Sequence, residues 1–180
     1  QAVQSDGPEF PTDPVANPDD RAERVGDQYD NSPERTYNRQ ETSGRPSRGR
    51  IDPNIGLENK YTNPSGQMVC QICKKEMPFK KKSGEYYFEA VEAFTKNYFR
   101  KEHEALFLAL CPVCAARYKE FVKLDKYKMI SFKDALVNTI DMEIPMQLGE
   151  WSTSIRFVGK HFADIKTILQ RSEEDDEANA

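Results

Sequence analysis

The chain has 180 residues, 37% hydrophobic and 31% charged, with a formal net charge of −4 at neutral pH. That is enough for one modest domain with tails, and poor in core-forming residues. No stretch approaches the ~18 consecutive apolar residues of a membrane-spanning helix and no charged-apolar-small leader opens the chain, so no membrane partner is expected.

Residues 1–50 hold few large apolar groups among many Asp, Arg, Asn, Pro and Gly. They cannot bury enough surface to offset ~1–2 kcal/mol of backbone entropy per residue, so they are expected to be mostly a disordered linker. A short helix can start at Pro18-Asp19-Asp20, and Arg45, Arg48 and Arg50 form a basic, Ser/Gly/Pro-rich stretch suited to a tether or a nucleic-acid contact. The first residue is Gln1 rather than Met, so the chain is expected to be a piece of a longer protein.

An ordered domain is expected over residues 51–172. Met77-Pro78-Phe79 and Tyr86-Tyr87-Phe88 flank a Lys80-Lys81-Lys82-Ser83-Gly84 turn, which reads as a β-hairpin. The stretch from Ala90 to Leu110 reads as largely helical, through Phe94, Tyr98, Phe99, Leu106 and Leu110. A second helix follows Cys111-Pro112, with proline suited to its first turn. A third begins near Ser131. Residues 144–148 and 153–158 read as two short strands about a Gly149-Glu150-Trp151 turn, and His161 to Leu169 carries a helical apolar stripe. The acidic residues 173–180 read as a disordered tail.

Chemistry concentrates in Cys70-Gln71-Ile72-Cys73 and Cys111-Pro112-Val113-Cys114, two CxxC pairs separated by 37 residues that use all four cysteines. A CxxC knuckle aims two thiolates at one cation, and two knuckles supply the four soft ligands of a closed tetrahedral Zn²⁺ site. With no secretory leader, these cysteines point to a structural metal in a reducing cytoplasm rather than to disulfides. The charge is segregated around them. Residues 61–130 carry 13 basic and 8 acidic side chains, against 8 and 12 in residues 1–60 and 5 and 10 in residues 131–180. Lys74, Lys75, Lys80, Lys81 and Lys82 surround the first knuckle and the hairpin, and are the candidates for touching a nucleic acid or another anionic partner. The two histidines, His103 and His161, lack the spacing of ligands paired with the cysteines. His103 lies in a highly charged segment and is expected to be exposed.

Knuckle, hairpin and a helix bearing the last ligand pair make up a treble-clef zinc finger in an α+β domain with flanking helices. The phrase C-Q-I-C, then Y-F-E-A, then L-A-L-C-P-V-C resembles the HNH endonucleases over residues 67–120. That resemblance implies a His-His pair after the strand and an Asn a few residues before the second CxxC. This chain has Val91-Glu92 and Leu106 there, and Ala115, Ala116 and Lys119 where the helix commonly carries further His. An imidazole base and a divalent ion are what hydrolysis of a phosphodiester requires. The resemblance therefore implies a degenerate finger without nuclease activity, serving nucleic-acid or protein recognition and assembly. The alternative is a metal-dependent endonuclease using Glu89, Glu92 and His103. The flanking segments, Tyr29 to Arg35 and Ile155 to Lys166, resemble C-terminal regions of large bacterial multidomain proteins, some with sacsin- or Hsp90-like ATPases and some of defence type. That implies other domains as partners.

Overall fold

The computed structural model describes residues 7–33, 52–95, 98–99 and 101–180. Arg45, Arg48, Arg50 and the rest of 34–51 lie outside the described residues. Helix α1 (Pro18–Asp30) begins with proline where its missing N–H costs nothing and with Asp19 and Asp20 at the positive end of the dipole. Helix α2 (Asn54–Tyr61) is followed by the first CxxC knuckle and by the 77–88 hairpin. Strands β1 (Glu89–Glu92) and β2 (Phe107–Leu110) pair antiparallel, with Glu89 opposite Leu110 and Val91 opposite Leu108. Helix α3 (Pro112–Tyr118) runs into a wide π turn at Lys119–Lys123, and α4 (Lys126–Asn138) follows. Strands β3 (Glu143–Leu148) and β4 (Trp151–Arg156) form a second antiparallel ribbon about Gly149, whose φ of 65° suits the turn. Helix α5 (Gly159–Ala178) completes an α+β arrangement with five α-helices and two two-stranded sheets among the described residues.

One apolar core joins these pieces. Tyr61, Met68, Ile72, Phe94, Leu106, Leu108, Leu110, Tyr118, Leu136, Ile155, Phe157 and Ile165 are all buried in it. α5 packs against α1 and α4, and α2 packs on β2.

Four expectations are corrected. Residues 7–33 are not a structureless linker, because Val25 and Tyr29 of α1 are buried and Arg21 makes a bidentate pair with Asp164 of α5, at 2.7 and 2.8 Å. Residues 90–110 are not one helix. Phe94 and Phe99 reach the core from between the two strands, their rings 5.5 Å apart, while Val91, Leu108 and Leu110 reach it from a ladder. α4 starts at Lys126 rather than near Ser131, since Asp125 accepts hydrogen bonds from the N–H groups of Tyr127 and Lys128. The acidic tail is helical through Ala178: α5 continues its ladder through good helix formers, with Ser172 buried and Lys133 3.3 Å from Glu173.

The hairpin forms where the sequence places it. Lys80 bridges Tyr86, the Tyr87 N–H donates to the Phe79 carbonyl at 3.0 Å, and Gly84 supplies a φ of 90°.

Candidate metal centre

The first knuckle is a tight loop closed by its own backbone. The Lys74 N–H donates to the Cys70 carbonyl at 2.9 Å and the Cys70 N–H to the Lys75 carbonyl at 3.0 Å. Closing it puts Lys74 in the left-handed region at φ 59°, where a non-glycine side chain is uncommon. Cys111 caps α3: its Sγ accepts from the Cys114 N–H at 3.5 Å, and its carbonyl accepts the first helical bond from Ala115 at 2.8 Å. The helix N-terminus favours negative charge on these sulfurs.

β2 leads straight into Cys111, and the knuckle is docked on β2 by Gln71, a fully buried amide that sequence reading passed over. Its backbone N–H donates to the Ala109 carbonyl at 3.0 Å and its Oε1 accepts from the Ala109 N–H at 2.8 Å. Its Nε2 donates to the Arg156 carbonyl at 3.1 Å, and its carbonyl accepts from the Arg156 N–H at 2.9 Å. Gln71 thus clamps the knuckle between β2 and β4. Nothing local marks such a residue, because its partners lie far away in the chain.

The outcome is four sulfurs, from Cys70, Cys73, Cys111 and Cys114, all within 4.8 Å of one another. Cys73 and Cys111 are 4.0 Å apart, far beyond a disulfide's ~2.05 Å. A tetrahedral ion with metal–sulfur bonds of ~2.3 Å spaces its sulfurs by about 3.8 Å, so the group fits one cation with little movement. The donor set has the right softness for a thiophilic ion. Without a cation the four sulfurs must share protons. The thiols of Cys114 and Cys70 hydrogen-bond Cys111 and hold it well below the usual thiol range, while the same contact with Cys111 pushes Cys114 and Cys70 up. A divalent ion would remove that conflict by displacing the protons and holding all four sulfurs as thiolates.

The lysines divide. Lys74 faces inward: its Nζ donates to the Ser154 carbonyl at 2.7 Å and the Ser154 hydroxyl at 2.6 Å, and lies 3.2 Å from Glu143. It ties the knuckle to the β3–β4 ribbon. Lys75, Lys80, Lys81 and Lys82 are exposed, with Lys81 3.0 Å from Glu85 and Lys80 4.8 Å from the Tyr86 ring centre.

Val91 and Leu106 are buried in the core. Glu89 lies 3.6 Å from Lys119, and Glu92 lines an open groove with Phe107, Lys119 and Lys123. His103 is buried rather than exposed. Its Nδ1 accepts from the Ala105 N–H at 3.1 Å as the cap of a short 3-10 turn, and desolvation lowers its pKa. His161 is buried too: Nε2 donates to the Ala105 carbonyl at 2.9 Å, and Nδ1 accepts from the Tyr61 hydroxyl at 2.6 Å. Among the described residues the four cysteines are the one group of three or more His, Cys, Asp or Glu side chains placed to share an ion, and Glu89, Glu92 and His103 form no such group. No helix among the described residues is long and apolar enough to cross a membrane. Comparison with known proteins finds no matching family model, no matching curated protein and no matching solved structure.

Proposed function

We propose that the cysteine group holds a structural Zn²⁺ in a degenerate, HNH-like treble-clef finger, and that the domain is a nucleic-acid or protein recognition and assembly module without nuclease activity. The convergence of four thiols on one point carries this reading. Four thiolates fill a tetrahedral ion's coordination shell, so it has no position for water or phosphate. When bound, the ion contributes folding free energy of order 10 kcal/mol, as in zinc-finger peptides. The chain's own residues set the frame: the Lys74 turn shapes one ligand pair, the α3 N-terminus shapes the other, and Gln71 fixes their separation.

The groove beside β1 has no imidazole on it. Aliphatic Val91 and Leu106 stand where the resemblance calls for His and Asn, and both histidines are engaged in capping or core hydrogen bonds. The sequence resemblance further supports placing the module in the cytoplasm as part of a larger bacterial protein, alongside other domains. Zinc-loaded protein incubated with plasmid and Mg²⁺ or Mn²⁺ tests the central point. No nicking or linearisation is expected. Cleavage that disappears in Glu92→Ala would establish the non-standard endonuclease instead.

A further inference from the structure

The basic hairpin carries a feature that its lysines alone do not explain. Phe79 and Tyr87, opposite each other on its two arms, stack with ring centres 5.0 Å apart and planes within 11° of parallel. Both are solvent-exposed, Phe79 at 53% and Tyr87 at 37%. A cross-strand aromatic pair stabilises a hairpin by only ~0.2–1 kcal/mol, which does not require leaving so much ring surface in water. The turn between the rings carries exposed Lys80, Lys81 and Lys82. The nearby carboxylates are engaged: Glu76 accepts from the Tyr86 hydroxyl at 2.5 Å, and Glu85 pairs with Lys81.

The hairpin is also rooted in the metal centre. The Met77 N–H donates to the Met68 carbonyl at 2.8 Å and Val69 bridges Glu76, so the strand that enters the knuckle supports the aromatic arm. A flat aromatic stack held on a rigid base beside a run of cations matches two needs of an unpaired strand, a π-face for a base and positive charge for the adjoining phosphates. A duplex keeps its bases stacked on each other and offers no such face to a hairpin tip.

We propose that the 77–88 hairpin is a binding platform for single-stranded nucleic acid, with a base stacking on the Phe79–Tyr87 pair and Lys80 and Lys82 contacting backbone phosphates. This rests on the recognition-module reading above and commits it to one ligand class. Lys81 joins at the expense of its ion pair with Glu85, an exposed pair of small net strength.

The test uses the zinc-loaded full chain with a fluorescein-labelled 20-mer of deoxythymidine, the matching duplex and an acidic peptide, titrated by anisotropy at several salt concentrations. The single strand is expected to bind more tightly than the duplex. Phe79→Ala should weaken it about tenfold or more with the salt slope unchanged, and Phe79→Trp should restore it. Lys80→Gln with Lys82→Gln should flatten the slope by about 0.7 for each phosphate no longer neutralised. Zinc content and melting temperature of each variant separate impaired stacking from impaired folding, and Tyr87→Leu gives a second probe if Phe79→Ala misfolds. Equal binding of duplex and single strand, with Phe79→Ala at wild-type affinity, overturns the stacking platform while leaving a lysine-based recognition module standing. Binding of the acidic peptide with none of either nucleic acid also overturns it, and leaves the protein-assembly form of the module.

Discussion

Around Cys70 and Cys111, four cysteine sulfurs converge within 4.8 Å of one another, placed to share one cation. Around His161, the polar groups match one another in pairs. There the imidazole donates to the Ala105 carbonyl and accepts from Tyr61, the Tyr61 oxygen in turn accepts from the Val158 N–H at 3.4 Å, and Arg21 closes on Asp164. Both regions contribute to one apolar core. They differ in how their buried polar groups are matched: the cysteine end gathers four sulfurs placed to share an ion, and at the α1–α5 end the polar groups pair with one another. Metal concentration and pH should therefore act on the two ends through different residues.

The largest effect should come from the ligands. Cys111→Ser should remove most of the metal-dependent stabilisation, of order 10 kcal/mol, and leave a chain that shows no cooperative urea transition by circular dichroism. Retention of a wild-type transition would place the cysteines outside the folding mechanism. At the opposite end, Asp164→Ala leaves Arg21 partly buried without its partner and should cost about 3–5 kcal/mol in urea unfolding. Hydrogen exchange should rise in α1, with zinc stoichiometry unchanged. A loss of zinc in that variant would contradict the division between the two ends.

Acid gives the next effect. Desolvation by burial lowers the His161 pKa from 6.5 to about 4, because the folded core holds the ring neutral. Between those values the unfolded chain binds a proton that the folded chain does not, so stability is full above about pH 6.5 and declines as pH falls toward 4. The decline attributable to this ring is about 3 kcal/mol. Urea midpoints across that range should fall less steeply in His161→Gln than in wild type; identical slopes would show that the ring protonates without penalty. The smallest of the four belongs to Gln71→Leu, which strands the Ala109 N–H and the Arg156 carbonyl. It should cost about 2 kcal/mol and weaken zinc affinity by loosening the clamp between the ligand pairs. An unchanged affinity by competition with a chromogenic chelator would show that the knuckles hold their spacing without it.

How far the sequence foretold this molecule follows from which interactions were local. The CxxC spacing, the lysine-rich turn, Gly149 and the stripe of α5 are near-neighbour patterns, and they placed the knuckles, the hairpin, β3–β4 and the last helix. The Asp125 cap of α4 was a local signal passed over, but most misreadings came where distant partners decide. Val25 and Tyr29 lie four apart in a charged segment whose composition suggested a tether, and the segment is held by Asp164, the face of α5 and Lys101, all distant in the chain. Phe94 and Tyr98, four apart, mimic helical spacing, although β1 and β2 flank them as a strand ladder. Gln71 and Lys74 are polar side chains whose roles depend on Ala109, Arg156 and Ser154, and nothing in their composition separates them from surface residues. The Pro18-Asp19-Asp20 start signalled α1, and the Arg21-Val25-Tyr29 spacing was the available signal for its buried face.

The most direct measurement is zinc stoichiometry together with X-ray absorption at the zinc edge on protein purified without added metal. One Zn²⁺ per chain, with four sulfur neighbours at ~2.3 Å and no oxygen or nitrogen in the shell, is the predicted result, with unfolding when a strong chelator removes it. A shell containing oxygen or nitrogen, or a metal-free chain that keeps its fold, would contradict a closed structural site at the centre of this domain.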